Sequence, residues 1–306
     1  METLSSLKFL ESIPGIRGWI IRGRGQLGKR RLAEAYRWFS QMANLEGISS
    51  VCFNQYGSVV TLSDGRRFHL DLSRAASWLY SVPFTGTFER KETEYVRQIV
   101  RPGWVCVDVG ACFGWYSVLL GQAVGESGQV HAFEPVKPNF ECLTENVALN
   151  EAGNVQINNL ALSNRPGKLQ LFLPLDGVSA SIRPHASLSK CAVLESDVTT
   201  LDAYAEWARF TRLDFLKADI EGGELLFLEG GRKTLQQFKP ILLLEIQAHS
   251  TRLFGHEPAV IFSFLQDLGY RGSYIAEDGS LVPIEMSRLN VLPDHNFVFT
   301  PVALVS

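Results

Sequence analysis

An acid is followed by two glycines in the stretch VCVDVGACFGWYS, which runs from Val105 to Ser117. Apolar residues lead into Asp108, and the chain then passes Gly110 and Gly114 into a run with helical spacing. A buried strand that ends in an acid and a glycine turn is typical of the edge where a doubly wound sheet binds a nucleoside-containing cofactor. The dinucleotide fingerprint G-x-G-x-x-G is not met because its third glycine is missing. This turn therefore argues against a nicotinamide dehydrogenase.

A second strand-like segment ends in an acid 24 residues after Gly110. It runs from Gly128 to Glu134, and Pro135 ends it. In a doubly wound sheet, the acid at the tip of the second strand accepts hydrogen bonds from ribose hydroxyls. Two acidic strand tips suit a cofactor with a sulfonium and an ammonium group, so the pattern predicts S-adenosylmethionine. A glycine turn needed only for helix packing, with a solvated strand end, is the alternative.

Further acids follow two later strand-like segments. Asp219 ends the segment that begins at Leu213, and Glu245 ends the one that begins at Pro240. The carboxyl ends of parallel strands meet at one edge of a sheet, so we expect these acids to be neighbours. An alcohol is a poor nucleophile at neutral pH, and a positioned base adds about 10²–10⁴-fold to the rate of its reaction. These acids are therefore candidates for that base and for a partner that orients it.

Two other roles stay open for the same acids. They could hold a divalent cation such as Mg²⁺, which prefers oxygen ligands and would lower the pKa of a bound hydroxyl. We do not favour this metal, and we assign no metal ligand. Glu221 could simply favour the start of the helix after it, and Lys217 could pair with Asp219 or Asp108. The candidate catalytic residues are Asp219, Glu221, Glu245, His249 and Lys217.

Five motifs, in this order, resemble the FkbM-type methyltransferase family. They are D-V-G-A with G-W-Y-S from Asp108, A-F-E-P from Ala132, T-L-D from Thr200, K-A-D-I-E-G-G-E from Lys217 and L-E-I from Leu244. The resemblance covers roughly residues 86–300 and implies a class I, Rossmann-like α/β fold with a doubly wound, mostly parallel, seven-stranded sheet. The sequence departs from the family at Cys112, where Asn is common, near the methionine end of the cofactor.

The resemblance implies S-adenosylmethionine-dependent methyl transfer, usually to a hydroxyl of a sugar, glycan or polyketide-type natural product. An N- or carboxyl-directed methyltransferase and a non-catalytic cofactor-binding scaffold stay as alternatives, because a fold does not fix the acceptor. A third strand, Val155–Ser163, should end beside the adenine ring. The candidate cofactor-binding residues are Asp108, Gly110, Ala111, Gly114, Tyr116, Ser117, Glu134, Pro135, Leu160 and Ala161.

Composition fits a cytoplasmic enzyme. The chain has 306 residues, of which 46% are hydrophobic and 20% charged, enough for a full core. No run of about 18 apolar residues suggests a membrane span, and the first residues do not resemble a secretion signal. Five cysteines without a C-x-x-C pair fit a reduced protein better than a disulfide or zinc framework. A net charge of -3 gives no argument for a nucleic-acid partner.

The N-terminal part is predicted to be separate from the cofactor domain. Residues 1–45 hold eight Lys or Arg and three Glu, and form a predicted basic helical arm. The arm either packs on its own or a neighbouring subunit, which we favour, or it contacts an anionic membrane surface. Packing on a neighbouring subunit would make the protein a homo-oligomer. Residues 46–85 are predicted to form a small β-cap around an Asp64-Gly65 hairpin. Residues 86–306 are then the methyltransferase domain.

Overall fold

The structure is a computed structural model that describes residues 47–54, 57–70, 88–174, 191–285, 289 and 294–302. The predicted basic arm, residues 1–45, lies outside the described residues. The chain divides into two units, residues 1–88 and 89–306. Within the described residues, no helix has the length and apolar character needed to cross a bilayer.

The first unit contains a three-stranded antiparallel sheet. Its strands are β1 (Ile48–Asn54), β2 (Gly57–Leu62) and β3 (Arg67–Leu70), in that spatial order. The predicted hairpin connects β2 to β3, and Gly65 adopts a φ of 88° that favours glycine. The adjacent Arg66 is buried and forms a 2.8 Å ion pair with Asp64. The turn is thus held by a side chain as well as by its backbone.

The second unit alternates strands and helices. Its described helices are α1 (Arg90–Ile99), α2 (Trp115–Val124), α3 (Lys137–Leu149), α4 (Leu201–Trp207), α5 (Glu224–Gly230), α6 (Arg232–Phe238), α7 (Ala248–Leu253) and α8 (Pro258–Asp267). Its described strands are β4 (Val105–Val109), β5 (Gln129–Phe133), β6 (Val155–Asn158), β7 (Ala161–Leu162), β8 (Gly167–Pro174), β9 (Cys191–Thr199), β10 (Phe215–Ala218), β11 (Ile241–Glu245), β12 (Tyr270–Ile275), β13 (Leu281–Pro283) and β14 (Asn296–Pro301).

The main sheet has the order β13-β12-β14-β11-β10-β4-β5-β6. The five strands from β11 to β6 are parallel, and β14, β12 and β13 pair antiparallel. The predicted doubly wound, mostly parallel α/β class is therefore confirmed. The predicted count of seven strands is wrong, because the three-residue strand Leu281–Pro283 adds an eighth at the edge.

Apolar runs explain the central strands. The segments ILLLE in β11 and FLKA in β10 are almost entirely buried, as expected for strands that helices cover on both faces. Helix α2 is also buried on nearly all sides, since all of its first seven residues are buried. This packing holds the carboxyl ends of β4, β10 and β11 rigidly side by side.

The predicted third strand, residues 155–163, is in fact two strands in different sheets. The side chain of Asn158 donates to the carbonyl of Ala132 at 3.0 Å, and Asn159 donates to the carbonyl of Glu134 at 2.8 Å. These amides thus bind one carbonyl in β5 and one just after it, at the point where β6 ends. Strand β7 instead pairs with β9 in a second sheet of order β7-β9-β8. The strands β8 and β9 were not predicted.

Candidate active site

The sheet reverses its winding between β4 and β10. From β4 the chain proceeds to β5 and β6 on one side, and later to β10 and β11 on the other. Ligands of open α/β sheets bind in the crevice outside the carboxyl ends of the strands at such a reversal. Asp108 in β4 stands opposite Lys217 in β10, and the Asp219 N–H donates to the carbonyl of Val109 at 3.1 Å. Candidate residues from both strands therefore meet at this crevice.

Two glycines shape the turn after β4. Gly110 has a φ of 78°, and a Cβ at this position would lie 1.9 Å from the carbonyl oxygen of Asp219. The N–H groups of Gly110 and Ala111 both donate to the carbonyl of Phe133 at 3.0 Å. Gly114 has a φ of 94°, and its Cβ would lie 2.8 Å from the Leu143 side chain. The turn is thus wedged between β5, β10 and α3, with no space for a side chain.

Asp108 and Ser117, both predicted to contact the cofactor, contact each other. The Ser117 hydroxyl donates to Asp108 Oδ2 at 2.6 Å, and both residues are buried. The other oxygen of Asp108 is buried and has no hydrogen-bond partner among the described residues. Burial raises the pKa of Asp108, while Lys217 and Ser117 act in the opposite direction. Asp108 therefore brings a buried acceptor to the floor of the crevice.

Glu134 follows β5, and its carboxylate binds backbone groups. It accepts hydrogen bonds from the N–H of Cys112 at 2.7 Å and from the N–H of Val136 at 2.9 Å. Burial raises the pKa of Glu134 to about 7, against the effect of these hydrogen bonds. The carboxylate thus fixes the β4 turn onto the end of β5, and ribose recognition by the same group stays a prediction.

The other predicted cofactor contacts lie along the β5–β7 edge. The carbonyl of Pro135 accepts a 3.2 Å hydrogen bond from Asn159. Leu160 is partly buried against the core, and Ala161 is buried in β7. These residues flank the break between β6 and β7, and their contact with an adenine ring stays a prediction.

Three of the predicted catalytic acids form one cluster. Oxygen atoms of Asp219, Glu221 and Glu245 all lie within 4.8 Å of one another. Lys217, buried in β10, places its ammonium 3.0 Å from Asp219 Oδ2. Glu245 also accepts from the Gln247 side chain at 2.7 Å. The structure thus brings four of the five predicted residues together.

His249, the fifth, lies at the second position of α7, where it is exposed. It is not among the residues that form the 4.8 Å cluster. Its catalytic role therefore stays a prediction that this geometry does not favour.

The pKa values of two acids in this cluster, Glu245 and Asp219, are shifted in opposite directions. Burial raises the pKa of Glu245 to about 11, and the charges of Asp219 and Glu221 act in the same direction. Burial opposes ionisation of Asp219 as well, but Lys217 and a hydrogen bond with Glu245 outweigh it and lower the pKa of Asp219. A buried pair of carboxyl groups commonly shares one proton. At neutral pH, Glu245 is therefore the protonated member and Asp219 the ionised one.

Two further acids at this edge were not among the predicted site residues. Glu224 is buried and accepts hydrogen bonds from the N–H groups of Ile220 and Gly222, each at 3.2 Å. Glu89, just before α1, accepts a hydrogen bond from the Tyr116 hydroxyl. The Lys217 ammonium lies 4.7 Å from the centre of the Tyr116 ring. For Glu224, the preceding glycine pair was the available sequence signal, since a tight turn leaves N–H groups that need acceptors.

This fold and crevice define a nucleoside-cofactor enzyme of the doubly wound α/β class. Residues 108–271, more than half of the chain, match the family described as Methyltransferase FkbM domain. The chain therefore belongs to the FkbM methyltransferase family, and its doubly wound, mostly parallel sheet has a Rossmann-like fold. No curated protein sequence matches it significantly.

Several solved structures are similar to the chain. An FkbM methyltransferase from Methylobacillus flagellatus KT has 17% identity and a TM-score of 0.40 over 76% of this chain and 56% of its own. A SAM-dependent O-methyltransferase from Thermotoga maritima has 14% identity and a TM-score of 0.38, over 83% and 85%. A putative methyltransferase from Streptococcus mutans, in complex with SAH, has 9% identity and a TM-score of 0.38, over 69% and 96%. The chain thus spans less than two thirds of the Methylobacillus protein.

Proposed function

We propose that the enzyme methylates a hydroxyl of a glycan, sugar or polyketide-type natural product, with Asp219 accepting the hydroxyl proton. The observation that carries this proposal is the position of Asp219 at the crevice, where its carboxylate lies within 4.8 Å of oxygens of Glu221 and Glu245 and 3.0 Å from the Lys217 ammonium. Glu245 donates to Asp219 and holds it in place, while Lys217 supports its charge at 3.0 Å.

The charge of the cluster also favours a neutral acceptor. A carboxylate acceptor would be repelled by Asp219 and Glu221, which lie within 4.8 Å of each other. An amine would be attracted as an ammonium ion, but the same acids would stabilise its protonated form, which has no lone pair for attack. A hydroxyl avoids both problems, because it is uncharged and donates a hydrogen bond to a carboxylate.

In the proposed reaction the acceptor oxygen attacks the methyl carbon in line with the sulfur. A bond forms between oxygen and carbon, the carbon–sulfur bond breaks, and S-adenosylhomocysteine leaves. The hydroxyl proton passes to Asp219 as positive charge develops on the oxygen. Most of the rate enhancement then comes from alignment in the crevice, to which a positioned base adds. Cofactor contacts are assigned in this proposal to the β4 turn, Glu134 and the β6–β7 edge.

A divalent cation at Asp219, Glu221 and Glu245 is the second candidate, since their oxygens are close enough to share an ion. Such an ion would have to displace the Lys217 ammonium and the Glu245 proton, which already compensate the negative charge. We therefore assign no metal. Activity should be unchanged after excess EDTA, and loss of activity that Mg²⁺ restores would favour the metal.

Asp219→Asn tests the catalytic proposal, because it keeps the side-chain shape and removes the proton acceptor. Methyl transfer from a methyl-labelled cofactor to fractionated lysate should fall by at least about 100-fold, while S-adenosylhomocysteine binding by calorimetry is retained. Asp267→Asn, on the exposed end of α8, is the matched control and should be fully active. An Asp219→Asn enzyme that turns over normally would refute the role of Asp219.

The chemical stability of the labelled product identifies the acceptor atom. A methyl ether survives mild base, whereas a methyl ester releases labelled methanol under the same treatment. We expect base-stable label in a glycan or small-molecule fraction. Base-labile label would establish carboxyl methylation instead, and label on an amine would be found by acid hydrolysis followed by amino-compound analysis.

A further inference from the structure

Glu89 occupies an unusual backbone position immediately before α1. Its φ of 43° and ψ of 56° are left-handed, a conformation that is costly for a residue other than glycine. The side chain does not cap the helix that it precedes. Its carboxylate instead accepts a hydrogen bond from the hydroxyl of Tyr116, which belongs to α2. The backbone strain thus directs an acid towards the β4 turn.

Glu89 belongs to an acidic group around one ammonium. The charges of Asp219, Glu89 and Asp108 all act on Lys217, in that order of strength. Lys217 also lies 4.7 Å from the centre of the Tyr116 ring, beside the hydroxyl that Glu89 holds. Lys217 forms its 3.0 Å ion pair with Asp219 rather than with Glu89. Among these four residues, three carboxyl groups therefore surround a single ammonium group.

The position of this acidic group matters for the reaction. Lys217 lies near the end of β10, Asp219 follows that strand and Asp108 lies near the end of β4, so the group lies at the crevice where the sheet reverses its winding. The reacting sulfur has to approach Asp219 if that residue receives the acceptor proton. S-adenosylmethionine carries a positive sulfonium there, whereas S-adenosylhomocysteine carries a neutral thioether. Both molecules share the adenosine, carboxylate and ammonium groups.

We propose that Glu89 is a selectivity residue, whose carboxylate makes the crevice prefer a positively charged cofactor over the uncharged sulfur of the product. The enzyme would thereby bind S-adenosylmethionine more tightly than S-adenosylhomocysteine and release the spent cofactor readily. This inference rests on the proposed function, in which Asp219 receives the acceptor proton and the reacting sulfur therefore lies near it, and it does not depend on the identity of the acceptor. Desolvation raises the pKa of Glu89. The charge of Lys217 opposes this effect, and the charges of Asp219 and Glu92 add to it. A cationic ligand at this site would therefore favour the ionised form of Glu89.

Calorimetric titration with three ligands tests the proposal. The ligands are S-adenosylmethionine, S-adenosylhomocysteine and sinefungin, which carries a protonated amine in place of the methylated sulfonium. Glu89→Gln removes the charge but keeps an oxygen that can accept the Tyr116 hydrogen bond. We expect affinity for the two cationic ligands to fall about tenfold and affinity for S-adenosylhomocysteine to change less than about threefold.

Glu94→Gln is the matched control, because Glu94 lies in α1, the helix that Glu89 precedes, and is exposed. It should leave all three affinities unchanged. An equal loss for the three ligands in Glu89→Gln would overturn the proposal, since it would mean that Glu89 binds the shared ammonium or only supports the fold. An unchanged ratio between cationic and neutral ligands would overturn it as well.

A second variant keeps the proposal testable if Glu89→Gln fails to fold by circular dichroism. Tyr116→Phe retains the Glu89 charge and the ring beside Lys217, and removes only the hydroxyl. The preference for sinefungin over S-adenosylhomocysteine should persist in this variant, and its disappearance would show that the charge of Glu89 is not its source. Failure of the wild-type protein to bind any of the three ligands would instead contradict the cofactor assignment.

Discussion

Two acidic side chains at the sheet edge accept hydrogen bonds from backbone N–H groups. Glu134 holds the N–H groups of Cys112 and Val136, and Glu224 holds those of Ile220 and Gly222. Burial raises their pKa values to about 7 and about 8 respectively. The folded state therefore disfavours the ionised form of each acid. Each acid contributes to the stability of the folded protein at low pH, and this contribution is lost as the pH rises from the pKa of the unfolded state to the raised pKa of the folded state.

His131 in β5 is expected to change the stability of the protein with pH in the opposite direction. It is buried against Tyr204 and Phe210, and burial lowers its pKa to about 4. A lowered histidine pKa contributes stability above the unfolded value of about 6.5, and this stability is lost as the pH falls towards 4. Between pH 7.5 and 5.0, His131 should cost the wild-type protein about 2 kcal/mol of unfolding free energy.

Urea unfolding of His131→Leu at both pH values isolates this contribution from that of the acids. On acidification, the free energy of unfolding should fall by about 2 kcal/mol less in the variant than in the wild-type protein. Tyr204→Phe removes the 3.0 Å hydrogen-bond partner of His131 but keeps the aromatic packing, so it should retain most of the dependence. Identical pH profiles for His131→Leu and the wild type would show that His131 is not kept neutral by burial.

At the scale of elements, the sequence predicts strand order better than strand pairing. Continuous apolar runs before Asp108, Asp219 and Glu245 predict buried parallel strands, and the structure contains them. Strands β8 and β9 belong to a separate sheet, and their residues alternate between exposed and less exposed positions. Their sequences therefore lack the continuous apolar run that marks the central strands. The pairing of Asp108 with Lys217 depends on tertiary register, which sequence alone does not specify.

The same limit applies to the candidate site. Local spacing predicts that Asp219 and Glu221 share a turn, and strand order predicts Glu245 beside them. The hydrogen bond between Glu89 and Tyr116 joins the residue before α1 to α2, and no local pattern indicates such a contact. The exposed position of His249 in α7 is likewise not indicated by local spacing.

The turn between β4 and α2 provides a prediction at the element scale. Gly110→Ala adds a methyl group that would meet the Asp219 carbonyl at 1.9 Å, so β4 and β10 must separate. Gly279→Ala, at a φ of 83° with no atom within 4 Å, measures the cost of backbone conformation alone. We expect about 1–2 kcal/mol of destabilisation for Gly279→Ala and at least about 2 kcal/mol more for Gly110→Ala.

Chemical denaturation measures both variants, and calorimetry follows cofactor binding. Gly110→Ala should also lose affinity for S-adenosylhomocysteine, whereas Gly279→Ala should bind it normally. Equal destabilisation of the two variants would mean that the turn can move away from β10 without cost, which would contradict the close packing described for it.

At the scale of the whole molecule, charge is distributed unevenly along the chain. Residues 1–45 carry eight Lys or Arg against three Glu, although the net charge of the chain is only -3. The rest of the chain is therefore acidic, in keeping with the cluster at its active-site crevice. A basic segment on an acidic enzyme has two natural partners, the acidic surface of its own or a neighbouring subunit and an anionic membrane.

Deletion of residues 1–45 distinguishes these partners. We expect a packing element, so the truncated protein should melt at lower temperature or change oligomeric state in sedimentation velocity. A membrane-surface element would instead sediment with anionic vesicles, not with neutral ones. Each cation near the surface contributes about 1 kcal/mol, and the attraction weakens as salt shortens the screening length. Salt-sensitive binding to anionic vesicles, lost in a truncated protein of unchanged stability, would contradict the packing role, because a segment that packs on protein must affect melting or assembly when removed.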